Sequence, residues 1–246
     1  MAEDFSGKIA LVTGASRGIG YQLALQLAAG GAHVIAVART QGGLEELDDE
    51  IKAAGGHATL VPLNLMDGPG IDRLGGAIYE RWGKLDIFCA NAAILGVISP
   101  IGHIEAKVFD RVMATNVTAT WRMIRTLDPL LKMAGSGRAA ILSARSAHSC
   151  RAFWSAYAAS KAAVEALARS WAAETTQLNL RVNVVDPGIA RTAMRAQAVP
   201  GEDPNSLPTP ADTARAIIPV FADRLTVTGK LWSVEEQRFK DFQRPV

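Results

Sequence analysis

Thr13-Gly14-Ala15-Ser16-Arg17-Gly18-Ile19-Gly20 is a glycine-rich stretch that directly follows the apolar residues 9–12 and leads into an apolar helical pattern over residues 19–29. A strand, a glycine turn and a helix in immediate succession are typical of a site that holds a dinucleotide. The glycines permit close approach of the backbone to a pyrophosphate, whose charge then meets the free N–H groups of the helix. An ordinary glycine loop is the less favoured alternative.

The rest of the chain alternates short apolar runs with helical patterns. The runs cover residues 9–12, 34–38, 59–63, 85–90, 139–142 and 181–185, with a seventh at 230–234. Helical periodicity covers residues 19–29, 44–54, 71–82, a pair within 106–133, and 157–177. Because each run is apolar on both faces, we expect parallel strands covered on both sides. The sequence therefore predicts an α/β fold, a Rossmann-like doubly wound parallel sheet of about seven strands with helices on both faces.

The whole chain, residues 1–246, is predicted to form one domain, because nothing in it has the composition of a linker. Residues 197–210 contain four prolines and a glycine, so regular structure is not expected there. We interpret residues of about 190–210 as a mobile lid over the substrate.

Composition favours a small-molecule partner. The net charge of +2 gives no broad field that would attract nucleic acid or an anionic membrane. The two cysteines form no metal-ligand pattern, and no apolar run approaches the length of a membrane span. Met1-Ala2-Glu3-Asp4 is acidic where a signal peptide would be basic. A cytoplasmic protein is therefore the expectation.

Four motifs in a fixed order carry a family resemblance. They are the glycine turn with spacing G-x-x-x-G-x-G, Asn91-Ala92-Ala93, Tyr157-x-x-x-Lys161 and Pro187-Gly188-x-x-x-Thr192. Together they resemble the short-chain dehydrogenase/reductase family over residues 7 to about 192. The resemblance implies an oxidoreductase that interconverts a carbonyl and an alcohol, and a homodimer or homotetramer paired through the helices of residues 106–133 and 157–177.

The end of the second strand bears on the choice of cofactor. An Asp or Glu there would bind the adenosine ribose of NAD, but the sequence reads Ala38-Arg39-Thr40. Arg39 and Arg17 together suit a phosphate dianion, which favours NADP over NAD, although a lone Arg39 would be read as a surface charge. The residues expected to contact the cofactor are Gly14, Ser16, Arg17, Gly18, Ile19, Gly20, Arg39, Asn64, Asn91, Ala92, Tyr157, Lys161, Pro187, Gly188, Ile189 and Thr192.

Tyr157 and Lys161 lie on one face of a predicted helix and can therefore share a ligand. A phenol can protonate a carbonyl oxygen if a nearby cation lowers its pKa towards neutrality. By resemblance, Tyr157 is the general acid/base, Lys161 also holds the nicotinamide ribose, and Asn116 links Lys161 to solvent through a water at a helix distortion. In isolation, the Tyr–Lys pair would be read as exposed, and Asn116 as a cap or surface residue.

One position departs from the family pattern. Thirteen residues before Tyr157, where the family has a serine that binds the substrate oxygen, this chain has Ala144. Ser143 and Ser146 are candidate substitutes, but a slip of one residue along an extended segment turns a side chain to the other face. The alternative function is a cofactor-binding protein with weak or no catalysis. The substrate is not predicted beyond an expected basic and aromatic rim, comprising Arg145, His148, Arg151, Phe153, Trp154, Arg191, Met194 and Arg195.

Overall fold

The computed structural model describes residues 3–242, which form one sheet flanked by helices. The strands are β1 (Ile9–Thr13), β2 (His33–Ala38), β3 (His57–Pro62), β4 (Ile87–Ala90), β5 (Gly137–Leu142), β6 (Leu180–Asp186), β7 (Leu231–Ser233) and β8 (Arg238–Lys240). Their order is β3-β2-β1-β4-β5-β6-β7-β8. The first seven are parallel, and β8 pairs antiparallel with β7. The doubly wound α/β prediction is confirmed.

The helices follow the strands in the predicted alternation. They are α1 (Gly18–Ala29), α2 (Gln41–Ala53), α3 (Gly68–Trp82), α4 (Ala106–Met113), α5 (Ala119–Met133), α6 (Ser146–Ser149), α7 (Ser155–Glu174), α8 (Ala193–Ala198) and α9 (Pro210–Ile217). A π-helical segment, Ala114–Thr118, joins α4 to α5. Short 3-10 turns occupy Ile101–His103, Pro204–Ser206 and Ile218–Phe221.

Apolar side chains of the strands divide between two cores, one on each face of the sheet. On β1, Leu11 joins the core under α3, α5 and α7, whereas its neighbour Val12 joins the core under α1, α2 and α9. Both residues are fully buried. Since successive side chains of a strand point to opposite faces, a strand covered on both sides must be apolar throughout, as these runs are.

Two segments differ from the sequence-based expectation. An eighth strand, β8, follows the seven that the sequence predicts, because Gln237 in the left-handed region (φ 49) turns the chain and Phe239 packs on Trp232. The segment 197–210 is not wholly irregular: α8 extends to Ala198, and Thr192 caps it by accepting a hydrogen bond from the Arg195 N–H at 3.2 Å. Beyond α8, two of the prolines begin further elements: Pro204 opens the 3-10 turn Pro204–Ser206, and Pro210 opens α9, because proline is tolerated at the first helical position.

Arg138 is a fully buried cation on the central strand β5. Its guanidinium donates to the carbonyls of Ala222 at 3.0 Å, Gly137 at 2.8 Å and Asp223 at 2.7 Å, which ends the 3-10 turn Ile218–Phe221 against the sheet. These carbonyls compensate the buried charge. Without them, an unpaired ion in this position would strongly destabilise the fold.

Arg138→Ala is expected to lower the free energy of unfolding by about 2–4 kcal/mol, because it leaves buried carbonyls without donors and opens a cavity. Urea denaturation followed by circular dichroism measures the change. Arg215→Ala is the matched control: Arg215 is exposed and, among residues 3–242, is paired only with Asp212, so its loss should cost less than about 1 kcal/mol. Equal effects of the two substitutions would contradict this account of Arg138.

Candidate active site

The glycine turn lies between β1 and α1 at the carboxyl edge of the sheet. Gly14 and Gly18 adopt left-handed backbone conformations, with φ of 68° and 62°. The N–H groups of Gly14 and Ala15 both donate to the Val37 carbonyl, at 2.8 and 3.2 Å, and so tie the turn to β2. Arg17 precedes α1 without a capping side-chain hydrogen bond, which leaves the N–H groups of the first helical turn open to an anion.

Asn91, after β4, holds the turn in shape. Its side-chain amide donates to the carbonyls of Thr13 at 2.9 Å and Gly14 at 3.3 Å. The hydroxyl oxygen of Thr13 in turn accepts from the N–H groups of Asn91 and Ala92, at 3.0 and 3.1 Å. A methyl group at Gly20 would lie 2.3 Å from the Asn91 amide nitrogen and 2.5 Å from the Gly14 carbonyl, so only glycine fits there.

A cavity of about 620 Å³ extends from the turn along the ends of the strands. The predicted site residues that line it are Gly14, Ser16, Arg17, Gly18, Ile19, Arg39, Asn64, Asn91, Ala92, Tyr157, Lys161, Pro187 and Thr192. Four others do not line it, namely Gly20, Asn116, Gly188 and Ile189. Gly20 acts through packing, as above, and Ile189 is half exposed.

The end of the cavity beside β2 is basic. Arg17 and Arg39 both line it, and the lining residues include no carboxylate. Neither arginine forms an ion pair within residues 3–242, so both guanidinium groups are available to a ligand. The Asn64 side-chain oxygen accepts from the Met66 N–H at 3.1 Å, and a carbonyl oxygen can accept a second bond.

Tyr157 and Lys161 are both buried on α7, so they are not the exposed pair that the motif alone would suggest. The Lys161 ammonium donates to the Leu142 carbonyl at 2.7 Å and lies 5.7 Å from the centre of the Tyr157 ring. Burial lowers the pKa of Lys161 to about 8, although Glu165 opposes the shift. Burial and Asp186 raise the pKa of Tyr157, opposite in direction to the lowering predicted from the sequence. The physical reason is that desolvation of the phenolate outweighs the effect of the Lys161 ammonium, which is hydrogen-bonded to the Leu142 carbonyl.

Asn116 lies in the π-helical segment and is buried, so it is neither a cap nor a surface residue. Its side-chain amide donates to the Ile94 carbonyl at 2.9 Å and the Ser160 hydroxyl at 3.0 Å, and its oxygen accepts from the Ile94 N–H at 2.8 Å. These bonds join the loop after β4 to α7. The helix distortion expected at Asn116 is present.

The segment after β5 brings Ser143, and not Ala144, to the wall of the cavity that Tyr157 also lines. The Ser143 hydroxyl donates to the carboxylate of Glu165. The hydroxyl of Ser146 is buried and has no hydrogen-bond partner among residues 3–242.

Comparison with known proteins identifies the family. A family model described as short chain dehydrogenase matches residues 8–203. The chain belongs to the short-chain dehydrogenase/reductase family. The uncharacterised oxidoreductase YciK of Escherichia coli K12 is 37% identical over 217 residues, which are 87% of this chain and 84% of the relative.

Solved structures agree over the full fold. A short chain dehydrogenase of Shigella flexneri 2a, complexed with NADP, has a TM-score of 0.91 at 35% identity and covers 96% of this chain and 100% of its own. One from Escherichia coli CFT073, complexed with NADPH, has a TM-score of 0.89 at 34% identity, covering 96% and 99%. The family assignment and the Rossmann-like fold are thereby confirmed.

The rim of the pocket in this family member is less basic than expected. Arg191 and Met194 line the cavity, but Arg145 is paired with Glu235 and Arg195 with Glu202 at 2.6 Å. These carboxylates lie in segments far along the sequence or beyond α8, so the sequence pattern did not indicate the pairing.

No helix within residues 3–242 has the length and apolar character needed to cross a membrane.

Sequence reasoning missed several lining residues. Leu63, Leu65, Met66 and Thr115 also contact the cavity. The first three directly follow β3, and parallel strands end at the same edge of the sheet as the glycine turn. Their position directly after a strand could therefore have identified these residues as lining the cavity. No feature of the sequence indicates that Glu165 is the partner of Ser143.

Proposed function

We propose that this short-chain dehydrogenase catalyses reversible hydride transfer between NADP(H) and a carbonyl or alcohol substrate, with Tyr157 as general acid/base. The observation that carries the proposal is that Tyr157, Lys161 and the glycine turn line one cavity. A group that can transfer a proton therefore adjoins a site built for a dinucleotide.

The residues present fit a phosphorylated dinucleotide. The glycine turn has no room for a Cβ atom at Gly14 or Gly20, because both pack against Asn91, and two arginines without ion-pair partners within residues 3–242 line the basic end of the cavity. Arg17 and Arg39 would hold the 2′-phosphate, and Asn64 the adenine. The NADP and NADPH complexes of the two structural relatives support this choice.

When bound, the cofactor supplies or accepts the hydride. The Tyr157 hydroxyl donates its proton to the carbonyl oxygen as charge develops there, and takes it back in the reverse reaction. The ammonium of Lys161 would bind the nicotinamide ribose and, once the proton has left Tyr157, would stabilise the phenolate. Asn116 would hold the path by which the proton on Tyr157 is replaced. Pro187 and Thr192, which line the cavity, would hold the carboxamide end together with the adjoining Gly188 and Ile189.

The direct test is to measure NADPH binding by fluorescence and then the loss of NADPH absorbance with a panel of ketones, quinones and 3-oxoacyl thioesters. We expect binding, and turnover with at least one class of carbonyl. Tight binding without turnover on any of them would contradict the enzymatic proposal.

Ala144 favours a second candidate, a cofactor-binding protein with weak or no catalysis. Losing one donor to a developing oxyanion typically lowers turnover by about 10²–10³-fold. Binding without turnover is the result that this candidate predicts, and a large gain from Ala144→Ser would assign the deficit to that position.

The remaining organisation is also proposed. A cytoplasmic homodimer or homotetramer is expected from the family, and static light scattering measures the assembly. We propose that residues of about 190–210 form a mobile lid within a single domain of residues 1–246, whose ends, 1–2 and 243–246, lie outside the described residues. Hydrogen exchange with and without NADP⁺ would measure the protection of the lid.

A further inference from the structure

Glu165 is a buried carboxylate one helical turn after Lys161 on α7, with only 7% of its side chain exposed. Two side chains from the segment after β5 contact it. The Ser143 hydroxyl donates to one carboxylate oxygen, and the imidazole Nε2 of His148 lies 3.1 Å from the other. We call His148, Glu165 and Ser143 the Glu165 chain.

The Glu165 chain connects solvent to the substrate cavity. At its outer end, the His148 side chain is 47% exposed and lies beside Phe242, with ring centres 6.1 Å apart. At its inner end, Ser143 lines the cavity together with Tyr157 and Lys161. A buried carboxyl group that bridges a cavity-lining hydroxyl and an accessible imidazole can exchange protons with water and act on the hydroxyl.

The protonation state of Glu165 determines which way the Ser143 hydroxyl points. A serine hydroxyl has one hydrogen, so it cannot donate to a carboxylate and to a substrate oxygen at the same time. A protonated Glu165 would instead donate to the Ser143 oxygen, which frees the serine hydrogen for the cavity.

Several groups face Glu165 and act on its charge. Burial raises the pKa of Glu165, and Asp186 on β6 raises it further. The hydrogen bond from Ser143 and the charge of His148 on α6 oppose the increase, and Lys161 is the cation on its own helix. The net direction is upward, which favours the neutral form that can donate to Ser143.

We propose that Ser143 replaces the serine missing at position 144 as the hydrogen-bond donor to the substrate oxygen, and that protonated Glu165 is the positioning residue that directs it. The proposal rests on the proposed carbonyl–alcohol reaction. No covalent bond of Ser143 is made or broken: the serine hydroxyl keeps its hydrogen, and Tyr157 transfers the proton to the substrate oxygen.

The kinetic test compares Ser143→Ala, Glu165→Gln and Glu165→Leu. Ser143→Ala should lower kcat for carbonyl reduction by about 10²–10³-fold with NADPH affinity unchanged. Glu165→Gln should retain most of the activity, because the amide N–H always donates to Ser143. Glu165→Leu should lose roughly five- to tenfold, the effect of one oriented hydrogen bond. Ala144→Ser should change kcat by no more than about threefold, within ordinary context variation.

The pH profile separates positioning from a merely structural role. In the wild type, the contribution of Ser143 is present at low pH and is lost as pH rises through the raised pKa of Glu165. Glu165→Gln should lack this decline and keep only the dependence due to Tyr157 and Lys161. Glu174→Gln, on an exposed position of the same helix, is the matched control and should keep the wild-type profile. An unchanged profile in Glu165→Gln, or full activity in Ser143→Ala, would overturn the proposal.

An infrared experiment tests the Glu165 chain without turnover. Difference spectra between acidic and alkaline pH, recorded with NADP⁺ bound, should contain the C=O band of a buried carboxylic acid that is absent in Glu165→Gln and displaced in Ser143→Ala. Absence of this band in the wild type would mean that Glu165 stays ionised and would overturn the proposal. A wild type that has the band but reduces no carbonyl would contradict the proposed function and, with it, the role of Ser143 in that reaction.

Discussion

Tyr157→Phe is expected to lower kcat for carbonyl reduction by about 10²–10⁴-fold while the Kd for NADPH stays within about threefold of the wild type. The substitution removes only the hydroxyl that supplies the proton and leaves the ring to fill its buried position on α7. Stopped-flow measurement of NADPH oxidation gives kcat, and fluorescence titration gives Kd.

Tyr79→Phe is the control for Tyr157→Phe, because Tyr79 is 56% exposed and its hydroxyl lies outside the cavity lining. We expect wild-type kinetics from it. Thermal unfolding of both variants should match the wild type within a few degrees. Retention of more than about a tenth of wild-type kcat in Tyr157→Phe would show that another group delivers the proton.

Arg39→Asp is expected to weaken NADPH binding by about 10²–10³-fold and to strengthen NADH binding. The substitution removes a charge-assisted contact, typically about 1.5–3 kcal/mol, and adds a carboxylate that repels the 2′-phosphate. The same carboxylate can accept hydrogen bonds from the ribose hydroxyls of NADH. The ratio of the two Kd values, measured on one preparation, reports the change in selectivity.

NADH is the internal control for Arg39→Asp, since misfolding of the site would weaken both cofactors together. Arg17→Ala should also weaken NADPH more than NADH, because its guanidinium lines the same end of the cavity. Equal losses for NADPH and NADH in both variants would contradict the assignment of these arginines to a 2′-phosphate.

The central strands were predictable because their environment is the same on both faces. Residues 139–142 are apolar throughout, and β5 is buried throughout its length. Strand β8 was not predictable in this way: Arg238 is exposed and Phe239 and Lys240 are half-buried. One aromatic contact and a left-handed turn decide the structure of this edge strand. Charged residues at such an edge resemble a solvated tail in the sequence.

The candidate site was predictable where its residues are close in sequence or follow a strand. Tyr157 and Lys161 share one helix, and Asn91 follows β4 directly. Glu165 was missed because an acidic residue in a helical pattern is usually solvated, and its burial depends on Ser143 and His148 from another segment. The pKa of Tyr157 depends likewise on desolvation by distant elements, which residue spacing does not report.

The bonds that Asn91 makes to Thr13 and Gly14 span 78 and 77 residues of sequence. The glycine turn is therefore a local sequence whose geometry depends on a distant strand. The bonds that fix its shape exist only where β4 is paired with β1. Because a ligand that binds only the native state stabilises it, a dinucleotide bound here would stabilise the assembled sheet rather than its first βαβ unit.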